Sequence, residues 1–292
     1  MDTIDDDRLR RSDLDRPVAH LSVAERLEMG KALRQKVKRS DYGLYQPPVN
    51  RADPIALLEE QAKTRLPELV PVRYARMLTS PFAFFRGAAG IMVRDLAAAP
   101  TSGISVLACG DMHLSNFGVY GSAERHLVFG INDFDEVYPG PWEWDLQRLT
   151  TSAVVAGRFL GADPVLCETA VRSIVQSYRQ HLREYAEMGY LELWYDTITE
   201  AELLQALPTD LHKRALRMLA KTRQRDNLQV LERLTDLLDQ QRHIIETPPL
   251  VVRAETRGGQ PMTAALEPLM QSYFNSLSAD RRFLASRYRI LD

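Results

Sequence analysis

GDMHLSNFG, residues 110–118, is the stretch on which the fold turns. It lies between two apolar runs, ISVLAC (104–109) and LVFGI (127–131), and the second run leads into the acidic cluster DFDE (133–136). Short runs rich in β-branched and aromatic residues and bounded by glycine and polar residues mark strands. The spacing therefore predicts one strand over 104–109 and another over 126–131, joined by a loop that carries Asp111 and Asn116. Gly118 and Gly121 are expected to ease the backbone of that connection.

Outward from this centre the apolar period becomes helical. Leu146, Leu149, Ala153, Ala156 and Leu160 recur at helix spacing, as do Cys167, Val171, Ile174, Tyr178, Leu182 and Tyr185. Further helices are predicted over 199–206, 209–222 and 224–241, a short strand over 248–253, and two helices within 263–288. On the N-terminal side, Ser22 and Glu25 have the spacing of a capping box that opens a helix to about residue 38. Asp53 and Pro54 suit the N-cap and first position of a helix to about residue 66. Two more run over 71–78 and 81–98. The class read from this pattern is α+β, mainly helical, with a small central β element. Residues 1–20 are charged and aperiodic and read as a mobile tail, 21–50 as a helix and linker, and 51–292 as the main domain.

Composition narrows the function classes. With 292 residues, 45% hydrophobic and 26% charged, the chain has the make-up of an ordinary soluble globular protein. Its net charge of -2 gives no bias toward nucleic acid or an anionic membrane, so neither is expected as a partner. No stretch approaches the roughly 20 apolar residues of a membrane span, and the charged N-terminus lacks the apolar centre of a secretory signal. A cytoplasmic location is the expectation. Cys109 and Cys167 lie in apolar segments far apart and read as buried thiols of a reducing compartment.

The acidic residues around the loop suggest phosphoryl transfer, a reaction that asks for an oriented nucleophile and cations on the phosphate oxygens. Asp111, on a strand-to-loop turn, is placed to accept a hydrogen bond from a substrate hydroxyl. Asn116 offers a neutral oxygen and Asp133 a charged one, hard ligands of the kind Mg²⁺ takes while keeping waters and phosphate oxygens. Asp135 and Glu136 add charge suited to a second metal. His113 has two readings, one catalytic and one in which it hydrogen-bonds the loop in place. Arg86, after the aromatic cluster 82–85, is a candidate phosphate contact, with a structural ion pair to the acidic site as the rival. Cys109 and His113 have no second ligand pair at zinc-site spacing. The basic residues from His212 to Arg225 read as a solvated helical face. Trp142 and Trp144 read as packing a helix start onto the loop.

GDMHLSNFG, followed by VFGINDFDE and PGPWEWDLQRLTTS, resembles the bacterial domain of unknown function 2252 family, and SPFAFFRG (80–87) with Arg73 and Met77 fits the same pattern. The resemblance covers roughly residues 50–292. The central segment is also similar to the active-site half of aminoglycoside phosphotransferases and related small-molecule kinases, with their GDxHxxN and I-D-[FW]-[DE] motifs. That resemblance implies Asp111 as catalytic base, Asn116 as a metal ligand, Asp133 as the main metal ligand and Asp145 as a brace on the catalytic loop from a helix start. It also implies Mg²⁺, ATP as donor, a small hydroxyl-bearing acceptor, and a large-lobe-like helical region after Trp142. Family members continue into a glycine-rich segment and a lysine-bearing strand. The chain is accordingly expected to be C-terminally truncated, without that nucleotide-clamping half, and RGGQ (257–260) reads as a turn. An inactive pseudokinase-like fragment or binding module, and a nucleotidyl transferase using the same site, stand as alternatives. Acceptor identity and oligomeric state are not written in any motif.

Overall fold

A computed structural model describes residues 21–288 apart from 44, 48, 225–226, 239–240 and 253–262. The expected tail over 1–20 and the turn at 257–260 lie outside the described residues.

Helix α1 (Val23–Lys36) opens on the capping box: Glu25 N–H donates to Ser22 Oγ at 3.3 Å and Ser22 N–H to Glu25 Oε2 at 2.7 Å. Helix α2 (Pro54–Ala62) opens on Asp53, whose Oδ1 accepts from Ile55 N–H at 3.0 Å. It ends at Ala62, short of residue 66, because a tight turn at Pro67–Leu69 redirects the chain into α3 (Val70–Met77). The single helix expected over 81–98 is two, α4 (Pro81–Gly87) and α5 (Ala89–Leu96), broken at Ala88 with φ -119° and ψ 30°. The break has a cause in α3. Arg73 donates to the Gly87 carbonyl, the acceptor that Ile91 N–H would use in a continuous helix. Ile91 N–H turns instead to the Ala88 carbonyl at 3.2 Å.

The β element differs from the expected pair of strands. Strands β1 (Ser105–Ala108) and β3 (Leu127–Ile131) form as read, but they do not pair with each other. β2 (Phe117–Gly121) makes an antiparallel hairpin with β3, in register Phe117↔Ile131 to Gly121↔Leu127. β4 (Tyr138–Pro141) pairs with β1, in register Ser105↔Pro141 to Ala108↔Tyr138. Gly118 and Gly121 thus lie within a strand. A Cβ at Gly118 would come 2.2 Å from Asn132 Nδ2, so any larger residue there would displace the Asn132 side chain. The YPGP sequence of β4 looks like a loop, yet a two-stranded pair has open edges on which proline's missing N–H costs nothing.

Helix α6 (Trp142–Phe159) leaves β4 directly, and α7 (Pro164–Glu187), capped by Asp163, packs along it. The Trp142 ring stacks on Tyr178 at 5.9 Å with 4° between planes. Helix α8 (Tyr190–Tyr195) leads to β5 (Ile198–Thr199), which joins the free edge of β3. Thr199 and Glu202 form a second capping box at α9 (Glu200–Ala206). Helix α10 (Thr209–Arg223) buries Ala215 and Leu219 and exposes Lys213, Arg214, Arg217 and Lys221.

The helix expected over 224–241 is a correction. Helix α11 (Asn227–Leu234) stops early, and β6 (Thr235–Leu238) and β7 (Gln241–Ile244) form a hairpin. Ile245 N–H takes the Leu234 carbonyl at 2.9 Å, which removes the acceptor that would have carried the helix on. The strand expected over 248–253 reduces, among the described residues, to one bridge between Thr247 and Val251. Helices α12 (Thr263–Ser276) and α13 (Ala279–Ala285) follow. The protein is α+β and mainly helical. Among the described residues no helix is long and apolar enough to cross a membrane.

Candidate active site

Helix α6 holds the loop after β1 through three polar residues on one face. Asp145, Arg148 and Ser152, at spacings of three and four, point the same way on a helix of about 3.6 residues per turn. Asp145, in the first turn, accepts from two consecutive backbone amides, Cys109 N–H at 2.7 Å and Gly110 N–H at 3.0 Å. Arg148 donates from Nε to Asp111 Oδ1 at 2.6 Å and from Nη2 to the Phe85 carbonyl at 2.9 Å. Ser152 Oγ accepts from Leu114 N–H at 3.2 Å and donates to the Leu149 carbonyl at 2.7 Å. Arg148 and Ser152 are buried, at 2% and 0% exposure.

Gly110 sets where this loop meets the next one. Its φ is +82°, and a Cβ there would stand 2.3 Å from the Glu136 carbonyl oxygen, so only glycine fits. Two further contacts tie the loops together: Asn132 N–H donates to the Asn116 carbonyl at 2.9 Å, and Cys109 Sγ to the Asp133 carbonyl at 3.3 Å. Burial pushes the Cys109 thiol up, and the charges of Asp145, Asp111 and Asp133 push the same way.

Within this frame each site residue has a definite place. Asp111 keeps Oδ1 on Arg148, while Oδ2 stands 3.6 Å from His113 Nε2. The buried Asn116 donates from Nδ2 to the Asp111 carbonyl at 2.7 Å, which leaves its Oδ1 as the atom able to ligate a cation. Asp133 and Asp135 are exposed on the second loop, where Asp135 N–H donates to Asp133 Oδ1 at 3.4 Å.

His113 is buried and packs edge-on against Phe82 at 6.1 Å. Its Nδ1 has no hydrogen-bond partner among the described residues, while its Nε2 faces Asp111 Oδ2 of the same loop. Burial, partly offset by Asp111, holds His113 below the usual histidine range, and the Arg86 charge pushes it further down. Arg86 itself is exposed and makes no salt bridge with a described residue. Glu143, beside Asp145, is buried and accepts from Tyr42 Oη at 3.0 Å and Ser102 N–H at 2.7 Å, which ties the segment before α2 and the one before β1 to the start of α6.

Sequence reading missed Arg148 and Ser152. Their signal was a polar stripe at 145, 148 and 152 in a helix whose apolar spacing already promised burial. The described residues contain no group of three or more His, Cys, Asp or Glu side chains gathered for a metal. A Mg²⁺ site needs less, because one or two carboxylates suffice beside phosphate oxygens and waters. Asn116 Oδ1 and Asp133, on two loops bonded to each other, fit that requirement.

The loop brace makes a stability prediction. Asp145→Asn would turn an amide N–H₂ toward one of two backbone N–H groups, leaving a buried donor facing a donor. The expected cost is about 2–3 kcal/mol. It would be read as a lower urea midpoint with an unchanged slope. Asp163→Asn, at the exposed N-cap of α7, is expected to leave the midpoint in place, because Asn caps as well as Asp.

What these elements define is an α+β, mainly helical protein with a polar site hung from one helix. The family model described as "Uncharacterized protein conserved in bacteria (DUF2252)" matches residues 65–292, and the chain belongs to that family. No curated protein and no solved structure matches it.

Proposed function

We propose that the chain is a kinase-like phosphotransferase that moves a phosphoryl group from ATP to the hydroxyl of a small molecule, with Mg²⁺. One observation carries the reading: the loops bearing Asp111, Asn116 and Asp133 are bonded to each other and locked to α6 through Asp145 and Arg148. Preorganised groups of this kind are the main thing the protein must supply to such a reaction.

In this reading Asn116 and Asp133 hold the cation, with Asp135 as a further ligand, and the cation supplies charge neutralisation on the phosphate oxygens. Arg148 fixes Asp111 Oδ1, which leaves Oδ2, beside His113, as the oxygen to accept from the acceptor hydroxyl. As the acceptor oxygen bonds to the γ-phosphorus, ADP departs and the hydroxyl proton passes to Asp111. The helices from α6 onward correspond to the large lobe of such an enzyme.

Isothermal titration of Mg-ATP into the chain and into Asp133→Ala tests the metal role. At least a tenfold weaker affinity is expected in the variant, and equal affinity would sink the assignment. Product mass separates phosphoryl from nucleotidyl transfer.

A further inference from the structure

A second polar feature lies beside the loops, on the side of α2 and α5. Arg65, Arg73 and Arg86 converge on a cleft of about 310 Å³, with Gln61 and Thr64 on its wall and Glu136 as its one carboxylate. Among the described residues none of the three arginines makes a salt bridge. Three guanidinium groups against one carboxylate leave the cleft strongly positive, and at close range like charges repel unless an anion joins them.

The backbone adds to this. Ala89 and Gly90, the first residues of α5, line the cleft, and the N-cap residue Ala88 has no side chain to accept from their N–H groups. The start of a helix with uncapped amides favours an oxyanion through both the donors and the dipole. Arg73 is anchored by its bond to the Gly87 carbonyl, so its fork is already oriented. Burial and the adjacent Arg65 charge push Arg73 below the usual arginine range, with Tyr74 and Glu136 offsetting part of the effect.

We propose that this cleft binds a phosphate group, held by Arg65, Arg73 and Arg86 and by the Ala89 and Gly90 amides of α5. Arginine forks match tetrahedral oxyanions in two-point contact, which a lone carboxylate such as Glu136 cannot replace. The site stands apart from the phosphotransfer reading, since it needs neither metal nor turnover. Its position beside Glu136 nevertheless puts the bound phosphate next to the loop of Asp133 and Asp135. The ligand is therefore a phosphorylated small molecule, either the nucleotide or a phosphate-bearing acceptor.

Titration of pyrophosphate in metal-free buffer at fixed ionic strength tests the site. The full chain is expected to bind, and Arg65→Gln/Arg86→Gln, both on exposed side chains, is expected to weaken binding at least tenfold. Arg172→Gln, remote on α7, is expected to bind as the unaltered chain does. Because the titration is metal-free, failure of the Asp133 metal role leaves this result intact. Displacement of pyrophosphate by metal-free ATP would assign the cleft to the nucleotide. Displacement by glycerol phosphate and not by ATP would assign it to the acceptor, and either supports the site. Absence of pyrophosphate binding, or binding indifferent to the double substitution, overturns it.

Discussion

Arg148→Ala is expected to lower the unfolding free energy by about 3–5 kcal/mol, the cost of breaking a buried ion pair from one side. That is a large share of the roughly 5–15 kcal/mol that holds a typical domain together. The guanidinium is 2% exposed, lies 4.3 Å from the Phe85 ring centre, and has Met92 Sδ 3.6 Å from Nη1. Its loss strands the Asp111 carboxylate and the Phe85 carbonyl and opens a cavity between α4 and α6. Arg148→Lys should fall between, because one ammonium cannot reach Asp111 and Phe85 together. A double-mutant cycle with Asp111→Ala isolates the pair. A coupling above about 1 kcal/mol is expected for groups in direct contact, and simple additivity would show that the pair is not the source. The surface pair Arg172–Glu168, with side chains 76% and 61% exposed, is the control, and Arg172→Ala should leave the midpoint unmoved.

What the sequence made legible, and what it hid, divides along the range of the interactions. Capping boxes at Ser22 and Thr199, the Asp53 cap and the two strands at 105–108 and 127–131 are local, and each follows from residues within a few positions. Asp145 could be placed on the loop because its motif travels with the loop's motif. The misses depend on partners distant in sequence. Arg73 reaches across 14 positions to the Gly87 carbonyl, where the helix expected over 81–98 breaks. β4 exists because β1 needs a partner, and its prolines disguise it. Arg148 looks like any surface arginine until Asp111, 37 positions away, is set against it. The acidic cluster was legible as charge, but which of its atoms are already committed was not. Asn116 Nδ2 belongs to the Asp111 carbonyl, and that bond decides which amide atom is left for a cation.

Asp111→Asn is expected to reduce the rate of phosphoryl transfer by roughly 10² to 10⁴-fold, the usual contribution of a positioned general base. The substitution is chosen because it separates chemistry from structure. An asparagine Oδ1 can still accept from Arg148, so the variant should lose less stability than Arg148→Ala, although the buried guanidinium loses its counter-charge. Its other terminal atom becomes a donor and can no longer take the acceptor's proton. Rates of phosphate transfer from Mg-ATP to a panel of small hydroxyl compounds, and of phosphate release to water, give the readout. The loss should appear in kcat, with the affinity for Mg-ATP retained, since Asp111 is not among the proposed metal ligands. His113 is the one other candidate base beside it, and burial holds it below the usual histidine range. Yet that ring is 2% exposed and packed against Phe82, so a substrate hydroxyl has no path to it. His113→Asn should therefore cost stability more than turnover. A loss of less than tenfold in Asp111→Asn, with the variant folded and nucleotide affinity intact, would mean that no proton passes through Asp111. The loop 110–118 would then hold a cation and a nucleotide without doing the chemistry.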